Sequence, residues 1–573
     1  MSYLNLPRLT FAGQFQADPS TVNNTPTNFK NEGFDSANGL WNPNGTGNWR
    51  FIGCTVTSVT YKDGTGTVDP AKDPIIGMSL MDANTRVAGK IVDLDSQQQM
   101  VSMLWGLVVR IVADGVEVMN GDYEPAAFSN IWFRRSTDLS GSRGASAVYQ
   151  SIIKNIKWDI ENTNSRYLKE LKETSPAQLS IQFNVDRYQN GDNASPQFTL
   201  GRIEGSIGPS NEAEPNHFVL GRQLFPQPNS NLNYAVAVID EKLKKIVLDM
   251  GNSLQFGTGG KIVETRKLVL AINKGNTGIA EFVNIGEIDY ADPEWYANSA
   301  GICTFDLSDE NLKLVTEFPL VIVTIETNQK NIVVVPTKKN IVFNESVEYV
   351  CADQFVFRLN PGESCSVDFY ATKFGKPIEG KSIVFKPDTQ NIPRLQPDDG
   401  DPAPGTPDNI LTFLPNSPVN TNAAGKAVVK ITASDPGNPR DYIDGQIYGI
   451  TYNLSDQDFD DCNPSNFISL LVFDSVAKAT VENPTWANLQ PIMQQYANLY
   501  PLMSKGIFNL ADQKVVDNNA EILKFVFSKE KTDPDYMPAT RDLSRDKQQM
   551  ILNYLDGILG KSGEKEAITF KKI

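Results

Sequence analysis

The chain contains one histidine, His217, and this limits the catalytic chemistry that the sequence can support. A serine or cysteine nucleophile needs a neighbouring base, usually a histidine, so any such arrangement here depends on His217. The nearest serine motif, around Ser79, lacks the second glycine of a nucleophile elbow. His217 follows Pro215 and Asn216, a context typical of a loop. We interpret it as a structural or exposed residue, with a role as general base as the alternative.

An acidic run is the best candidate for a metal site in the sequence. Asp456, Asp458 and Asp460 alternate along the chain, and alternate carboxylates are able to converge on a hard cation such as calcium. The run is not an EF-hand loop, because Asp461 and Phe467 stand where that loop has glycine and glutamate. Two interpretations stay open: another kind of calcium contact, and a solvated acidic turn, which we favour.

The sequence contains few residues that would bind another metal or a haem. Asp93 and Asp95 form a weaker acidic pair of the same kind. The absence of a Cys-x-x-Cys motif and of a second histidine excludes the usual zinc sites. A haem with a histidine ligand would again depend on His217, while a cysteine or tyrosine ligand stays open. The cofactor is therefore unknown from the residues alone.

Charge and cysteine content restrict the partners and the compartment. The formal net charge is −16, and an acidic surface repels nucleic-acid backbones and anionic membrane surfaces. Five scattered cysteines fit free thiols in a reducing compartment better than a disulfide framework. We therefore expect no disulfide bonds and no nucleic-acid partner.

The chain has no apolar stretch that would cross a bilayer. Its most apolar run, residues 100–109, ends at Arg110 and is shorter than the roughly 20 residues that a span needs. The first residues lack the basic and apolar pattern of a signal peptide. We expect a soluble cytoplasmic protein without membrane insertion, and export by a dedicated machine stays open.

The length of 573 residues predicts about three or four domains. Short apolar runs separated by 41 glycines and 34 prolines are typical of β-sandwiches and barrels. The sequence predicts a mainly β, multidomain protein with an immunoglobulin-like β-sandwich and a small carboxy-terminal helical segment. The predicted division is a β-rich region in residues 1–340, the sandwich in residues 341–475 and the helical segment in residues 476–573.

The predicted sandwich has the clearest strand pattern. Every second residue is apolar in four segments, namely 355–359, 365–369, 427–431 and 448–454. This period of two places one apolar face inward on each strand. Pro361 and Gly362 predict a hairpin turn between the first two segments. The pattern resembles an immunoglobulin-like sandwich.

Helical spacing of apolar residues is confined to a few segments. Residues 149–158 and 164–171 are the two exceptions within the β-rich region. Further helices are predicted from residue 483 onward, with a kink or break at Pro491 and at Pro501, and across residues 518–528. Ser544 is a good N-cap for a last helix.

Several segments, in order, are similar to one enzyme family. They are residues 6–13, 89–95, 205–209, 221–222, 248–253, 290–301, 500–504, 508–512 and 536–544. Together they resemble the amino-terminal part of the iminophenyl-pyruvate dimer synthases, the chromopyrrolate-type synthases of the violacein, rebeccamycin and staurosporine pathways of secondary metabolism. The resemblance implies oxidative coupling of tryptophan-derived imines with haem or iron. Family members continue into a ferritin-like helical domain, whereas this sequence ends at Ile573 shortly after residues 536–544.

Three functions follow from these observations. The first is a non-catalytic β-rich scaffold, binding or assembly protein, which we favour because no catalytic residue carries over from the family. The second is an enzyme or enzyme subunit for oxidative coupling, dependent on haem or iron. The third is an exported structural, cargo or effector protein, which the sandwich favours. We expect a protein partner or self-association, and a small aromatic metabolite is a candidate ligand.

Overall fold

The computed structural model describes most of the chain. The described residues are 2–17, 48–83, 89–92, 94, 101–189, 195–228, 230–275, 281–325, 337–391, 405–440, 444–459, 466–499 and 508–570. Within these ranges, no helix combines the length and apolarity that a membrane span requires.

Thirteen strands are described before residue 210. They are β1 (Arg8–Ala17), β2 (Trp49–Thr60), β3 (Gly66–Thr67), β4 (Ser79–Met81), β5 (Lys90–Val92), β6 (Met103–Trp105), β7 (Val108–Ala113), β8 (Val116–Tyr123), β9 (Ala126–Ala127), β10 (Ser129–Trp132), β11 (Ser146–Trp158), β12 (Leu179–Asp186) and β13 (Leu200–Pro209). Ten of them form one antiparallel sheet in the order β1-β13-β12-β11-β8-β7-β4-β2-β3, with β10 on β11. Because β1 also pairs with β2, this sheet closes on itself, and we call it the closed sheet. Strands β5, β6 and β9 form a separate small sheet.

Aromatic rings fill the inside of the closed sheet. Trp49 packs against Phe15, Phe51 and Phe183, with ring centroids 5.2–6.0 Å apart, and Tyr149 stacks on Phe183. All five side chains are almost fully buried. Since successive side chains of a strand point to opposite faces, the neighbours of Phe183 on β12 point outward.

A second sheet contains the next eight strands. They are β14 (Arg222–Pro226), β15 (Ala235–Asp240), β16 (Lys245–Asp249), β17 (Lys267–Asn273), β18 (Phe282–Glu287), β19 (Ile302–Asp306), β20 (Leu320–Ile325) and β21 (Ile341–Ser346). Their order is β18-β17-β20-β21-β14-β15-β16-β19, and every described pairing is antiparallel.

Two five-stranded sheets form the predicted sandwich. Their strands are β22 (Glu348–Ala352), β23 (Val356–Leu359), β24 (Ser364–Lys373), β25 (Lys376–Pro377), β26 (Ser382–Pro387), β27 (Leu411–Leu414), β28 (Val419–Asn420), β29 (Lys426–Ala433), β30 (Gln446–Leu454) and β31 (Phe467–Val472). One sheet holds β22, β24, β25, β27 and β29, and the other holds the remaining five. Val367 and Phe369 of the first sheet share a core with Tyr452 and Leu470 of the second.

The predicted hairpin at Pro361 and Gly362 is wrong. Strand β23 pairs in parallel with β31, whereas β24 pairs with β22 and β29 in the other sheet. The turn therefore crosses from one sheet of the sandwich to the other. Strand β24 keeps the predicted alternation over residues 365–369, whereas in β23 Val356 is buried as well as Leu359.

The described helices are short except for the last. They are α1 (Arg166–Thr174), α2 (Trp295–Ser299), α3 (Asp309–Leu314), α4 (Lys478–Glu482), α5 (Trp486–Leu499), α6 (Gln513–Asn518), α7 (Ala520–Phe527) and α8 (Arg545–Phe570). The predicted helices at α1, α5, α7 and α8 are confirmed, but α5 continues through Pro491, so no break occurs there. Ser544 precedes α8, and its hydroxyl accepts a hydrogen bond from the Lys547 backbone. Pro501 lies outside the described residues.

The predicted helix in residues 149–158 is wrong, because this segment belongs to strand β11. Tyr149, Ile152, Ile153 and Ile156 follow each other at helical spacing. In the strand, Tyr149 and Ile153 enter the core of the closed sheet, while Ile152 on the other face is also buried. Burial of both faces removes the alternation that identifies a strand.

Candidate functional site

A cavity of the described structure lies where the closed sheet, the second sheet and the sandwich meet. Its volume is about 570 Å³, which is within the range of small-molecule sites. The closed sheet contributes residues of β10, β11 and β12; the second sheet contributes residues of β14, β15 and β16; the sandwich contributes residues of β22, β30 and β31. No single part of the fold forms this cavity alone.

The outer face of the closed sheet supplies polar side chains to the cavity. Gln182 and Asn184 lie on either side of Phe183 on β12, so both point away from the aromatic core. Val148 pairs directly with Asn184 and therefore shares this face. All three line the cavity, and the two amides are each only 2% exposed.

Several polar atoms around the cavity are buried without a hydrogen-bond partner. They are Gln182 Oε1, Asn184 Nδ2, Asn466 Oδ1 and both ring nitrogens of His217. A buried polar atom that lacks a partner costs about 1–3 kcal/mol. Such atoms at one cavity indicate that a ligand or ordered water completes their hydrogen bonds.

His217 lies at the cavity beside a carboxylate that is already engaged. Asp353 Oδ1 accepts hydrogen bonds from the backbone N–H groups of Asn216 and His217, both at 2.8 Å. The His217 Nδ1 atom is 3.3 Å from the same oxygen, but their geometry is not that of a hydrogen bond. The loop context predicted for His217 is confirmed, and both imidazole nitrogens are buried without a hydrogen-bond partner.

Two further ionisable groups line the cavity, namely Asp249 and Cys351. Asp249 accepts hydrogen bonds at 2.6 Å from the Tyr3 hydroxyl and from the Gly251 backbone, and burial raises its pKa. Burial also raises the pKa of Cys351 to about 12, which leaves its thiol protonated at neutral pH. Cys351 is therefore a poor nucleophile at neutral pH.

A buried ionic cluster lies on the same outer face of the closed sheet. Arg202 donates to Asp186 Oδ1 at 2.8 Å and to Asp186 Oδ2 at 2.5 Å, and its Nε atom is 3.4 Å from Glu204 Oε1. Its guanidinium also packs over the rings of Phe256 and Tyr296. Burial raises the pKa of Glu204, although the charge of Arg202 opposes this shift. The Glu204 carboxyl thus holds its proton more tightly in the folded protein.

Replacing Glu204 by glutamine is expected to flatten the pH dependence of stability. Because the folded state binds this proton more tightly than the unfolded chain, the contribution of Glu204 to stability is complete at low pH. It is lost as the pH rises above about 4.3, the usual value for glutamate. Between about pH 5 and pH 8, the wild type should lose at least roughly 1 kcal/mol more unfolding free energy than Glu204→Gln.

Urea denaturation at a series of pH values measures this difference. Glu264→Gln is the matched control: burial alone would raise the pKa of Glu264, but hydrogen bonds from Arg266 lower it. Its titration therefore falls below this pH window, and its slope should equal that of the wild type. Equal slopes for Glu204→Gln and the wild type would contradict the prediction.

Of the acidic residues predicted as metal ligands, Asp456 and Asp458 do not line this cavity. Asp456 pairs with Lys381 at 2.7 Å, and this hydrogen bond lowers the pKa of Asp456. The Asp458 carbonyl accepts a hydrogen bond from the Asn453 side chain. Asp460 lies outside the described residues, as do Asp93 and Asp95. Within the described residues, no group of three or more His, Cys, Asp or Glu side chains is arranged for a metal ion, and the calcium contact stays a prediction.

The four described cysteines are unpaired. They are Cys54, Cys303, Cys351 and Cys365, and Cys462 lies outside the described residues. Only Cys351 among these four lines the cavity.

Sequence reasoning missed Gln182, Asn184 and Asn466 as site residues. An alternating strand normally exposes its polar face to solvent, so amides on that face attract no notice. Asparagine is depleted in strands, and Asn184 in the middle of β12 is the one local signal of a special environment.

Comparison with known proteins gives one short match. No protein-family model matches the chain. The 2-imino-3-(indol-3-yl)propanoate dimerase of Chromobacterium violaceum is 34% identical over 86 residues, which cover 15% of this chain and 9% of the dimerase. The chain thus matches less than a tenth of that relative's length. This similarity gives partial support to the family resemblance seen in the sequence.

Solved structures resemble the chain only distantly. The adhesin InvE of Yersinia pseudotuberculosis is 11% identical with a TM-score of 0.14, over 42% of this chain and 55% of that chain. Domains 1–6 of the surface-layer protein SbsC are 10% identical with a TM-score of 0.14, over 73% of this chain and 53% of that chain. Neither likeness is close enough to carry an argument about function.

Proposed function

We propose that this chain is a β-rich binding protein that holds a small molecule in the cavity between the closed sheet, the second sheet and the sandwich. The observation that carries this proposal is the group of unpaired buried polar atoms around the cavity, on Gln182, Asn184, His217 and Asn466. A folded protein gains nothing from unpaired polar atoms unless another molecule completes their hydrogen bonds.

The remaining surface of the cavity favours an aromatic or apolar ligand body. Phe225 packs edge-to-face on Tyr234 with centroids 5.1 Å apart, and Phe355 packs in the same way on Phe467 at 5.4 Å. All four rings line the cavity. Aromatic surfaces with a few placed polar groups are typical of small-molecule sites.

Filling the cavity should abolish binding. Val148→Trp places a large ring beside Asn184, and Val428→Trp is the matched control because Val428 lies on an exposed strand position. Thermal-shift measurements use the full chain and a panel of neutral, anionic and cationic aromatic compounds. At least one compound should stabilise the wild type and the control, by about 2.7 kcal/mol at a hundredfold excess over Kd.

The same compound should have no effect on Val148→Trp, with Val148→Phe as a second variant if the first is unstable. The binding function would be contradicted if no compound of the panel stabilised the wild type more than it stabilised Val148→Trp. Water would then be the occupant, and native mass spectrometry of the purified chain would find no retained molecule.

A second candidate is an enzyme or enzyme subunit for oxidative coupling of tryptophan-derived imines, which the match to the Chromobacterium dimerase favours. The haem or iron that this implies does not fit the described residues. Non-haem iron needs several converging ligands, and no such group occurs among them. Among the described residues that line the cavity none is a lysine or arginine, so haem propionates or a propanoate substrate would have no cationic partner there.

An absorbance spectrum and a metal analysis separate the two candidates. Protein purified without a metal-affinity tag should show no Soret band and no stoichiometric iron if it is a binding protein. A Soret band or bound iron would favour the coupling enzyme instead.

A further inference from the structure

We propose that the ligand of this cavity is an uncharged aromatic compound that carries a primary amide or lactam, and that Gln182 and Asn184 recognise this group. The inference rests on the proposed binding function and names the chemical class of its ligand.

Gln182 and Asn184 leave one acceptor and one donor unpaired on β12. The two residues are two positions apart on β12, so they share the outer face of the closed sheet. Gln182 Nε2 donates to Asn184 Oδ1 at 3.2 Å, which leaves Gln182 Oε1 and Asn184 Nδ2 unpaired. Turning both amides end for end would still leave one donor and one acceptor.

An amide or lactam matches this pair because it has an N–H and a C=O on one edge. A carboxylate has acceptors only, and an ammonium group has donors only. Either of them would leave one of the two buried protein atoms without a partner. A site that hydrogen-bonds both a donor and an acceptor rejects an analogue that lacks one of them.

The charges at the cavity disfavour an anionic ligand. Asp249 and Asp353 are the carboxylates among the described lining residues, and no described lysine or arginine balances them for an anionic ligand. Both oxygens of Asp249 already accept hydrogen bonds from Tyr3 and Gly251, so this carboxyl group is not arranged to receive an ammonium group. Burying an unpaired charge of either sign is costly.

Two other groups extend the hydrogen-bonding capacity of the cavity. His217 adds two ring nitrogens, and both are buried without a hydrogen-bond partner. Asn466 adds an unpaired acceptor at the start of β31. The edge-to-face ring pairs of Phe225 with Tyr234 and of Phe355 with Phe467 offer surfaces for a flat ring.

Three probes with one ring system and different charges test the ligand class. Isothermal titration of the full chain is carried out with indole-3-acetamide, indole-3-acetate and tryptamine. The amide should bind at least about tenfold more tightly than either charged analogue, because only the amide satisfies both unpaired atoms. Val148→Trp should abolish its binding.

The double variant Gln182→Leu/Asn184→Leu tests the recognising residues. Its affinity for indole-3-acetamide should fall at least about tenfold. The double variant should therefore no longer bind the amide more tightly than it binds the two charged analogues. Without ligand, its Tm should equal or exceed that of the wild type, because two unpaired buried polar groups are removed together. Gln223→Leu is the matched control: Gln223 also lines the cavity, but its amide already donates to the Val219 carbonyl.

The outcomes separate the ligand class from the binding function. Tighter binding of the acetate or of tryptamine, abolished by Val148→Trp, would overturn the amide class and leave the binding function intact. Unchanged amide affinity in the double variant would overturn the assignment to Gln182 and Asn184. Absence of binding for all three probes and for the wider panel would overturn both proposals.

Discussion

Arg222→Met should destabilise the second sheet by about 3–5 kcal/mol, because it leaves the buried carboxylate of Glu345 without its partner. The two side chains are 1% and 0% exposed. Arg222 Nε donates to Glu345 Oε1 at 2.7 Å, and its terminal nitrogens donate to the Val315 and Phe318 carbonyls at 2.7 and 2.8 Å. The variant therefore loses an ion pair and leaves two carbonyl groups without this donor.

Hydrogen exchange of peptides from β14 and β21 under increasing urea measures this loss locally, which suits a chain with several sheets. The double variant Arg222→Met/Glu345→Leu should recover much of the stability, since it removes both charges together. Arg266→Met is the matched control: Arg266 pairs with Glu264 but is 48% exposed, so its loss should cost at most about 1 kcal/mol. A similar small loss for Arg222→Met would contradict the prediction.

The second large effect is expected at Arg541, which lies in the family-like segment 536–544. Its guanidinium is fully buried and donates to the carbonyls of Lys531, Asp533 and Ala539 at 3.1, 2.9 and 2.8 Å. These hydrogen bonds connect three positions of the loop between α7 and α8 and fix its conformation. Arg541→Lys should destabilise the helical segment by roughly 3 kcal/mol or more, because one ammonium group cannot reproduce the planar fork of donors.

Hydrogen exchange in α8 and limited proteolysis in residues 529–541 measure this effect. Arg545→Lys is the matched control at the start of α8, because the Arg545 side chain is 58% exposed and pairs with Glu363 at the surface. The substitution Arg545→Lys should lower the free energy of unfolding by at most about 1 kcal/mol. Equal protection of α8 in Arg541→Lys and the wild type would contradict the structural role of this arginine.

The geometry around Arg541 explains what the family-like segment does in this fold. Arg545 N donates to Asn360 Oδ1 at 2.8 Å, and Arg545 pairs with Glu363 at 2.7 Å, so the start of α8 is docked on the turn between β23 and β24. Ser544, predicted as the N-cap of the last helix, is the final residue of this segment, and its hydroxyl accepts a hydrogen bond from the Lys547 backbone. Within the described part of this segment, the contacts are structural.

Local signals predicted strands and helices wherever one face of an element is apolar and the other polar. The alternation in residues 365–369 marks β24, and the helical stripe after Ser544 marks α8. The same reasoning failed for residues 149–158, because β11 is buried on both faces. It also failed for the turn at Pro361, because a period of two is the same whether consecutive strands pair with each other or lie in different sheets.

The candidate site was hardly predictable for a related reason. Its unpaired groups come from β12, from the loop at His217 and from the residue before β31, and nearly 300 positions separate the first from the last. Single residues of this kind carry no periodic signal. His217 was noticed because it is the only histidine, but nothing in its neighbourhood indicated Gln182, Asn184 or Asn466.

The sequence by itself determined that this protein is mainly β, that helices follow the sandwich, and which residues of an alternating strand such as β24 share a face. Those properties depend on neighbours along the chain and on the periods of strands and helices. Only the tertiary structure decided that the polar face of β12 is buried: Gly251 packs against Asn184, and residues near Phe256 cover Arg202. The alternation along a strand indicates which side chains point to the same face. It does not indicate what covers that face, because the covering residues lie far away in the sequence. The cavity and its unpaired polar atoms arise from that packing.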